Sequence, residues 1–231
     1  AEWYDFALVD RFSGSDALQP FFTERLLQLP HASFPSNPGR LPAGTPPTRA
    51  ECGLPDDAFV FACFNNTYKI TPAMFAAWMR ILGAVEGSVL WLLQDNAAAE
   101  RHLGDAAQAQ GIARDRLRFA PRIPLEAHLA RHALADLCLD TLPYNAHTTA
   151  SDALWAGCPV LTWLGETFAA RVAASLLTAV GLPELIAPDI DGYVARAISL
   201  AGNGVELAGY RLYLASEGRS SALFDATATA R

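Results

Sequence analysis

The chain has 231 residues, of which 52% are hydrophobic and 18% charged, with a net charge of −7 at pH 7. That length allows a substantial core in one domain or one and a half. The acidity excludes a broad face for phosphate backbones, so nucleic acid is not an expected partner and any anionic ligand must find local cations.

The opening, Ala1-Glu2-Trp3-Tyr4-Asp5, has no initiator Met and no basic, apolar signal opening, so it reads as the start of a piece of a longer chain. Tyr4 to Val9 suits a short strand. Ala17 to Leu29 reads largely as a helix with Phe and Leu on one face, Pro20 falling in its first turn. From His31 to Pro55 six prolines stand among Gly, Ser and Thr, a composition for a crossing between domains. Residues 1–30 then read as the end of a preceding lobe, the alternative being a decorated N-terminal extension.

Beyond Pro55 the pattern is regular. Strands are expected at Phe59–Phe64, Ser88–Leu93, Leu117–Ala120, Leu137–Thr141, Val160–Trp163 and Leu185–Ala187. Helices are expected at Pro72–Gly83, Ala97–Gln110, Leu125–His132, Thr148–Ala156, Thr167–Val180, Asp191–Leu200 and Val205–Ala215. Strands apolar throughout, alternating with amphipathic helices, define an α/β fold with a doubly wound parallel sheet over residues 56–231. No apolar run approaches the roughly 20 residues of a membrane-spanning helix. The four cysteines, Cys52, Cys63, Cys138 and Cys158, have neither CxxC nor metal spacing and read as free thiols of a reduced, cytoplasmic protein.

Three motifs are declined. His128 and His132 have helical i,i+4 spacing, but Leu129 replaces the Glu that a zincin needs. Gly202-Asn203-Gly204 follows a helix and lacks a third Gly in place, so it is an interhelical turn rather than a dinucleotide loop. Asp189-Ile190-Asp191 stands at a helix start, where N-capping accounts for it, and no metal site is assigned.

Two loops carry chemistry. Asn65-Asn66-Thr67-Tyr68-Lys69 leaves a strand at the sheet edge where open α/β folds bind ligands, and Lys69 is the only lysine of the chain. It offers a compact charge to phosphate oxygens, or it is an ordinary solvated lysine. His147-Thr148-Thr149 opens a helix whose first turn supplies unpaired N–H groups and a partial positive charge. The competing reading is that Thr148 merely caps this helix and Asp152 merely complements its dipole. Asn65, Asn66, Tyr144 and Asn145 add polar groups, and the set suits a nucleotide diphosphate.

At these residues the chain resembles the O-GlcNAc transferases, which use UDP-GlcNAc to glycosylate proteins, and the bacterial members are nearest. The similarity is carried by CLDTLPYNAHTTASDALWAGCPVLT and GETFAARVAAS within Leu137–Ala174, by Phe64–Lys69 and by Ser88–Leu93, and it runs from about Gly53 to Phe224. The resemblance implies a GT-B fold of two Rossmann-like lobes, with residues 56–231 the C-terminal, sugar-nucleotide-binding lobe. It implies that Lys69 supports the leaving UDP as the catalytic group of this lobe. It also implies that Asn66 stands where animal members have Gln, that His147, Thr148 and Thr149 lie along the diphosphate, and that Asp152 binds the ribose. His128 and Arg131 would flank the uracil; Leu125 stands where animal members carry Lys.

The implied reaction is metal-independent, inverting transfer of GlcNAc from UDP-GlcNAc to Ser or Thr hydroxyls of a protein or peptide acceptor, with no cofactor. The partners implied beyond this chain are the N-terminal catalytic lobe with its acid–base His and a tetratricopeptide (TPR) region. The resemblance further implies a C-terminal helix that returns to the other lobe and is cut off here near Asp225, and the piece alone is expected to bind UDP without turnover. Two other readings stay open: a non-catalytic nucleotide-sugar scaffold or sensor, and a transferase using another UDP-hexose or an Asn acceptor.

Overall fold

The computed structural model describes residues 3–34, 36, 39, 42, 44–225 and 227. Residues 6–10 and 25–29 form two short strands, β1 (Phe6–Asp10) and β2 (Arg25–Leu29), paired parallel with Phe6 opposite Arg25. This corrects the helix expected over Ala17–Leu29. A 3-10 turn spans Asp16–Phe21 with Pro20 inside it, and the chain re-extends to pair with β1. The ring of Pro20 removes a backbone donor and disfavours helix continuation. Of the Pro-rich crossing, residues 35, 37, 38, 40, 41 and 43 lie outside the described residues, and the rest of it carries no helix or strand.

The main sheet has six parallel strands: β3 (Val60–Cys63), β4 (Val89–Leu93), β5 (Leu117–Ala120), β6 (Leu137–Leu139), β7 (Val160–Trp163) and β8 (Ile186–Ala187). Their spatial order is β5-β4-β3-β6-β7-β8. All residues of β3, β4 and β6 are buried, as strands covered by helices on both faces must be. The helices are α1 (Pro72–Ala84), α2 (Ala97–Ala109), α3 (Leu125–Arg131), α4 (Thr148–Trp155), α5 (Val172–Val180), α6 (Ile190–Gly202) and α7 (Gly204–Ala215). The expected helix over Thr167–Val180 is split, a 3-10 turn at Phe168–Ala170 preceding α5.

Local chemistry sets the helix starts. The Thr71 hydroxyl accepts from the Met74 N–H at 3.2 Å, with Pro72 in the first turn of α1. Asn96 caps α2 and Asn203 caps α7 in the same way. Asp189 of the Asp189-Ile190-Asp191 motif caps α6, and Asp191 pairs with Arg80 at 2.8 Å. The returns from helix to strand use left-handed glycines: Gly87 before β4, Gly111 before β5, Gly157 before β7 and Gly181 before β8.

The core runs through Phe61, Trp78, Leu90, Trp91, Leu137 and Leu154, each essentially without exposed surface. A buried relay joins the helical layer to the sheet: Trp78 Nε1 donates to Tyr193 Oη at 3.1 Å, and Tyr193 Oη donates to the Asp140 carbonyl at 3.0 Å. The strand order reverses between β3 and β6, which are direct neighbours with Phe61 opposite Leu137. In an open α/β sheet the ligand crevice lies outside the carboxyl ends of the strands at such a reversal. The loop at 64–69 leaves β3 there, and the loop at 140–147 leaves β6 beside it.

Candidate functional site

The loop after β6 is built around Asp140. Its carboxylate is buried and accepts from the Ala146 N–H at 2.6 Å and the Thr162 hydroxyl of β7 at 2.7 Å. Burial pushes its pKa up to about 7 against the pull of those donors, the Thr141 N–H and the charge of Lys69. Asn65 ties the β3 exit to this loop, donating to Thr141 Oγ1 at 2.9 Å, while Asn145 donates to the Thr141 carbonyl at 2.9 Å. Asn145 also accepts from the Ala173 N–H of α5. The loop is therefore held from β7, α5 and the exit of β3, and presents Tyr144 and His147 at the sheet edge.

Lys69 reaches across from the β3 side. Its Nζ donates to the Asn145 carbonyl at 2.8 Å and lies 3.9 Å from the centre of the Tyr144 ring. Partial burial lowers its pKa, while Asp140 raises it. Asn66, Lys69, His128, Arg131 and Thr149 line one cavity of about 320 Å³ together with Phe64, Leu125 and Arg122. Among the described residues no carboxylate lines this cavity, although the chain as a whole carries −7. An adjoining cavity of about 850 Å³ shares Ile123 and Arg131 with it, but Pro46, Pro47, Trp91, Phe119 and Ala127 make it largely apolar.

Arg131 is buried, with Nη1 donating to the Pro121 carbonyl at 2.7 Å and its guanidinium 4.6 Å from the Phe64 ring centre. Burial draws its pKa down to about 10. His128 packs edge-on against Phe64, with ring centres 5.2 Å apart, and 4.7 Å from His132. His132 has no exposed surface, and its Nδ1 is 2.8 Å from the His128 carbonyl. Burial first, and then neighbouring charge, lowers His128 to about 3, so it is a neutral imidazole at pH 7. The described residues hold no cluster of three or more His, Cys, Asp or Glu that could bind a metal.

His147 takes the N-cap position of α4, its ring 5.2 Å from Tyr144 and 5.9 Å from Phe34. Its Nε2 is buried without a partner, and burial lowers its pKa against the Ala169 backbone bond that raises it. Thr148 is exposed at the first position of α4, and Thr149 follows on the cavity wall. Asp152, one turn on, is buried and does not line the cavity. Five of the eight sequence-predicted residues thus share one cavity; His147 is linked to it only through Tyr144, whose ring packs on Lys69, and the side chains of Thr148 and Asp152 are not on its wall.

Two residues escaped the sequence reading. Asp140 looked like a strand end, and its role shows only when Ala146 and Thr162 close around it. Arg122 follows β5 by two positions, at the same carboxyl edge, and that placement was the available signal.

A doubly wound parallel lobe with a cation-lined crevice at its switch point has the architecture of a GT-B glycosyltransferase lobe. The solved structure of a mutant Thermobaculum terrenum O-GlcNAc transferase superposes with a TM-score of 0.87 at 30% identity, covering 98% of this chain and 42% of that one. The profile of glycosyl transferase family 41 matches residues 42–231. The chain belongs to that family. It is 37% identical over 231 residues to the Arabidopsis thaliana protein named "Probable UDP-N-acetylglucosamine--peptide N-acetylglucosaminyltransferase SEC", covering 97% of this chain and 24% of that protein. It is 42% identical over 178 residues to the Caenorhabditis elegans UDP-N-acetylglucosamine--peptide N-acetylglucosaminyltransferase, covering 77% of this chain and 16% of that one. The chain therefore spans a quarter or less of these relatives.

Proposed function

We propose that the intact protein transfers GlcNAc from UDP-GlcNAc to Ser or Thr hydroxyls of a protein acceptor, and that this lobe holds the UDP. The observation that carries this is the placement of the chain's single lysine on a carboxylate-free cavity at the switch point of a family 41 lobe. When an acceptor hydroxyl displaces UDP, charge builds on the leaving diphosphate. Lys69 meets that charge with its ammonium, and the first turn of α4 meets it with the N–H groups of Thr148 and Thr149. His147 fixes the approach to that turn. His128, neutral and held edge-on against Phe64, faces the uracil, with Arg131 beside it.

Asp152, buried in the first two turns of α4, is assigned to the ribose. The reading assigns neither metal nor cofactor. The acid–base group and part of the sugar contacts belong to an N-terminal lobe beyond this chain, with a TPR region as a further partner. The ribbon of β1 and β2 supports that arrangement, because Trp3, Tyr4, Phe6, Leu8, Phe21 and Leu27 leave 40 to 89% of their surface exposed there, more than a finished surface tolerates. Four free thiols fit a cytoplasmic setting. Among the described residues no helix is long and apolar enough to cross a membrane.

Calorimetry of the complete protein with UDP tests the binding step. Wild type binds UDP, and Lys69→Ala weakens that binding about tenfold or more, the scale of a lost charge-assisted hydrogen bond. Binding unchanged by Lys69→Ala refutes the assignment. Incubation with several UDP-sugars and an acceptor peptide, with mass mapping of the modified residue, tests donor and acceptor.

A further inference from the structure

Among the described residues the cavity wall carries three cations, and two of them are at least partly buried as well as engaged within the protein. Lys69 donates to the Asn145 carbonyl, and Arg131 is sealed under Phe64 with its Nη1 on the Pro121 carbonyl. The third is Arg122, whose side chain keeps 62% of its surface exposed. Its Nη2 donates to Asn66 Oδ1 at 2.5 Å and lies 3.7 Å from Asp95 Oδ1. Asp95 is itself fixed by the Thr67 hydroxyl, which donates to its Oδ2. Asp95 does not line the cavity, so it orients the guanidinium from behind the wall. A long exposed arginine ordinarily samples many rotamers; this one is held by groups from the exits of β3 and β4. A guanidinium has five N–H donors in a planar fork, and a single bond to Asn66 leaves donors for a phosphate.

We propose that Arg122 is a second diphosphate-binding residue, positioned by Asn66 and by the Asp95–Thr67 pair, which supplies donor affinity on a wall where Leu125 offers no charge. This rests on the nucleotide reading given above. Asn66 then acts on the nucleotide indirectly, because its amide oxygen holds the guanidinium and its contribution to binding runs through Arg122. The competing account makes Arg122 a surface tether between the β5 exit and the loops after β3 and β4. An exposed pair of that kind contributes little, so a tether predicts a small effect that ignores the ligand's phosphates.

The test is calorimetry on the complete protein with uridine, UMP and UDP at fixed ionic strength, for wild type, Arg122→Ala, Arg122→Lys and Lys69→Ala. Arg122→Ala is expected to weaken UDP about tenfold, UMP by less and uridine less than about twofold, with Arg122→Lys recovering part of the loss. The salt dependence of UDP binding should flatten in Arg122→Ala, because one phosphate-facing cation is gone. Equal losses for all three ligands overturn the proposal in favour of a tether. UDP binding that falls in Lys69→Ala but not in Arg122→Ala also overturns it and leaves the nucleotide reading intact. Failure of wild type to bind UDP removes both.

Discussion

Asp140 offers the sharpest physical test of how the site is built. Its carboxyl is buried at the end of β6, and desolvation raises its pKa to about 7 from 3.8. Between those two values the folded chain holds a proton that the unfolded chain has released. A group raised in this way contributes stability that is fully present below the unfolded pKa and is lost as pH rises through the folded one. A tenfold difference in proton affinity corresponds to about 1.4 kcal/mol, so the contribution falls by close to 3 kcal/mol between pH 5 and pH 8. Asp140→Asn keeps an acceptor for the Ala146 N–H, sets an amide NH2 against the Thr162 hydroxyl, which can turn to accept, and stays neutral throughout. Urea denaturation of both chains at pH 5, 6, 7 and 8 gives the difference curve, in which every other titrating group cancels. Wild type should lose about 3 kcal/mol relative to Asp140→Asn across that range, most of it below pH 7, and level off above. A difference that stays flat would mean that the carboxyl titrates as an ordinary exposed aspartate, and the account of the loop would fall with it.

His132 predicts the opposite slope. Burial lowers its pKa to about 4, so its contribution is present above the unfolded value of 6.5 and is lost as pH falls toward 4. Going from pH 7.5 to pH 5, wild type should lose about 2 kcal/mol that His132→Asn does not lose, as read from urea midpoints. At Gly181, φ is +90° and an added Cβ would stand 2.4 Å from the Tyr213 hydroxyl oxygen, which is bonded to the Val180 carbonyl. Gly181→Ala should cost about 1–3 kcal/mol in the same assay, and Tyr213→Phe should relieve the clash but not the backbone strain.

The parts of the fold that were legible in the sequence are those whose signal is local. β5 and β7 have the predicted bounds because short, mainly apolar runs such as VLTW end within two residues of a proline or glycine. The starts of α1, α2 and α6 were legible because Thr71, Asn96 and Asp189 are capping residues. β2 was misread because its identity depends on β1, some twenty positions earlier, and because its half-exposed residues show no alternation. The site divides along the same line. Lys69 and Thr149 could be placed from strand ends and helix starts, whereas the bond from Arg122 to Asn66 joins positions 56 apart.

The glycine returns have a consequence for how this lobe can be altered. Every group assigned to ligand binding stands at the carboxyl edge of the sheet, while Gly87, Gly111, Gly157 and Gly181 close the turns of the opposite edge. At Gly87, Gly111 and Gly157 an added Cβ would meet no atom within 4 Å, so these turns are crowded by nothing but their own backbone conformation. An affinity tag, a fluorophore or a purification handle inserted beside one of them would sit a full strand length from the crevice. The lobe thus carries built-in attachment points at which its binding could be watched without being touched.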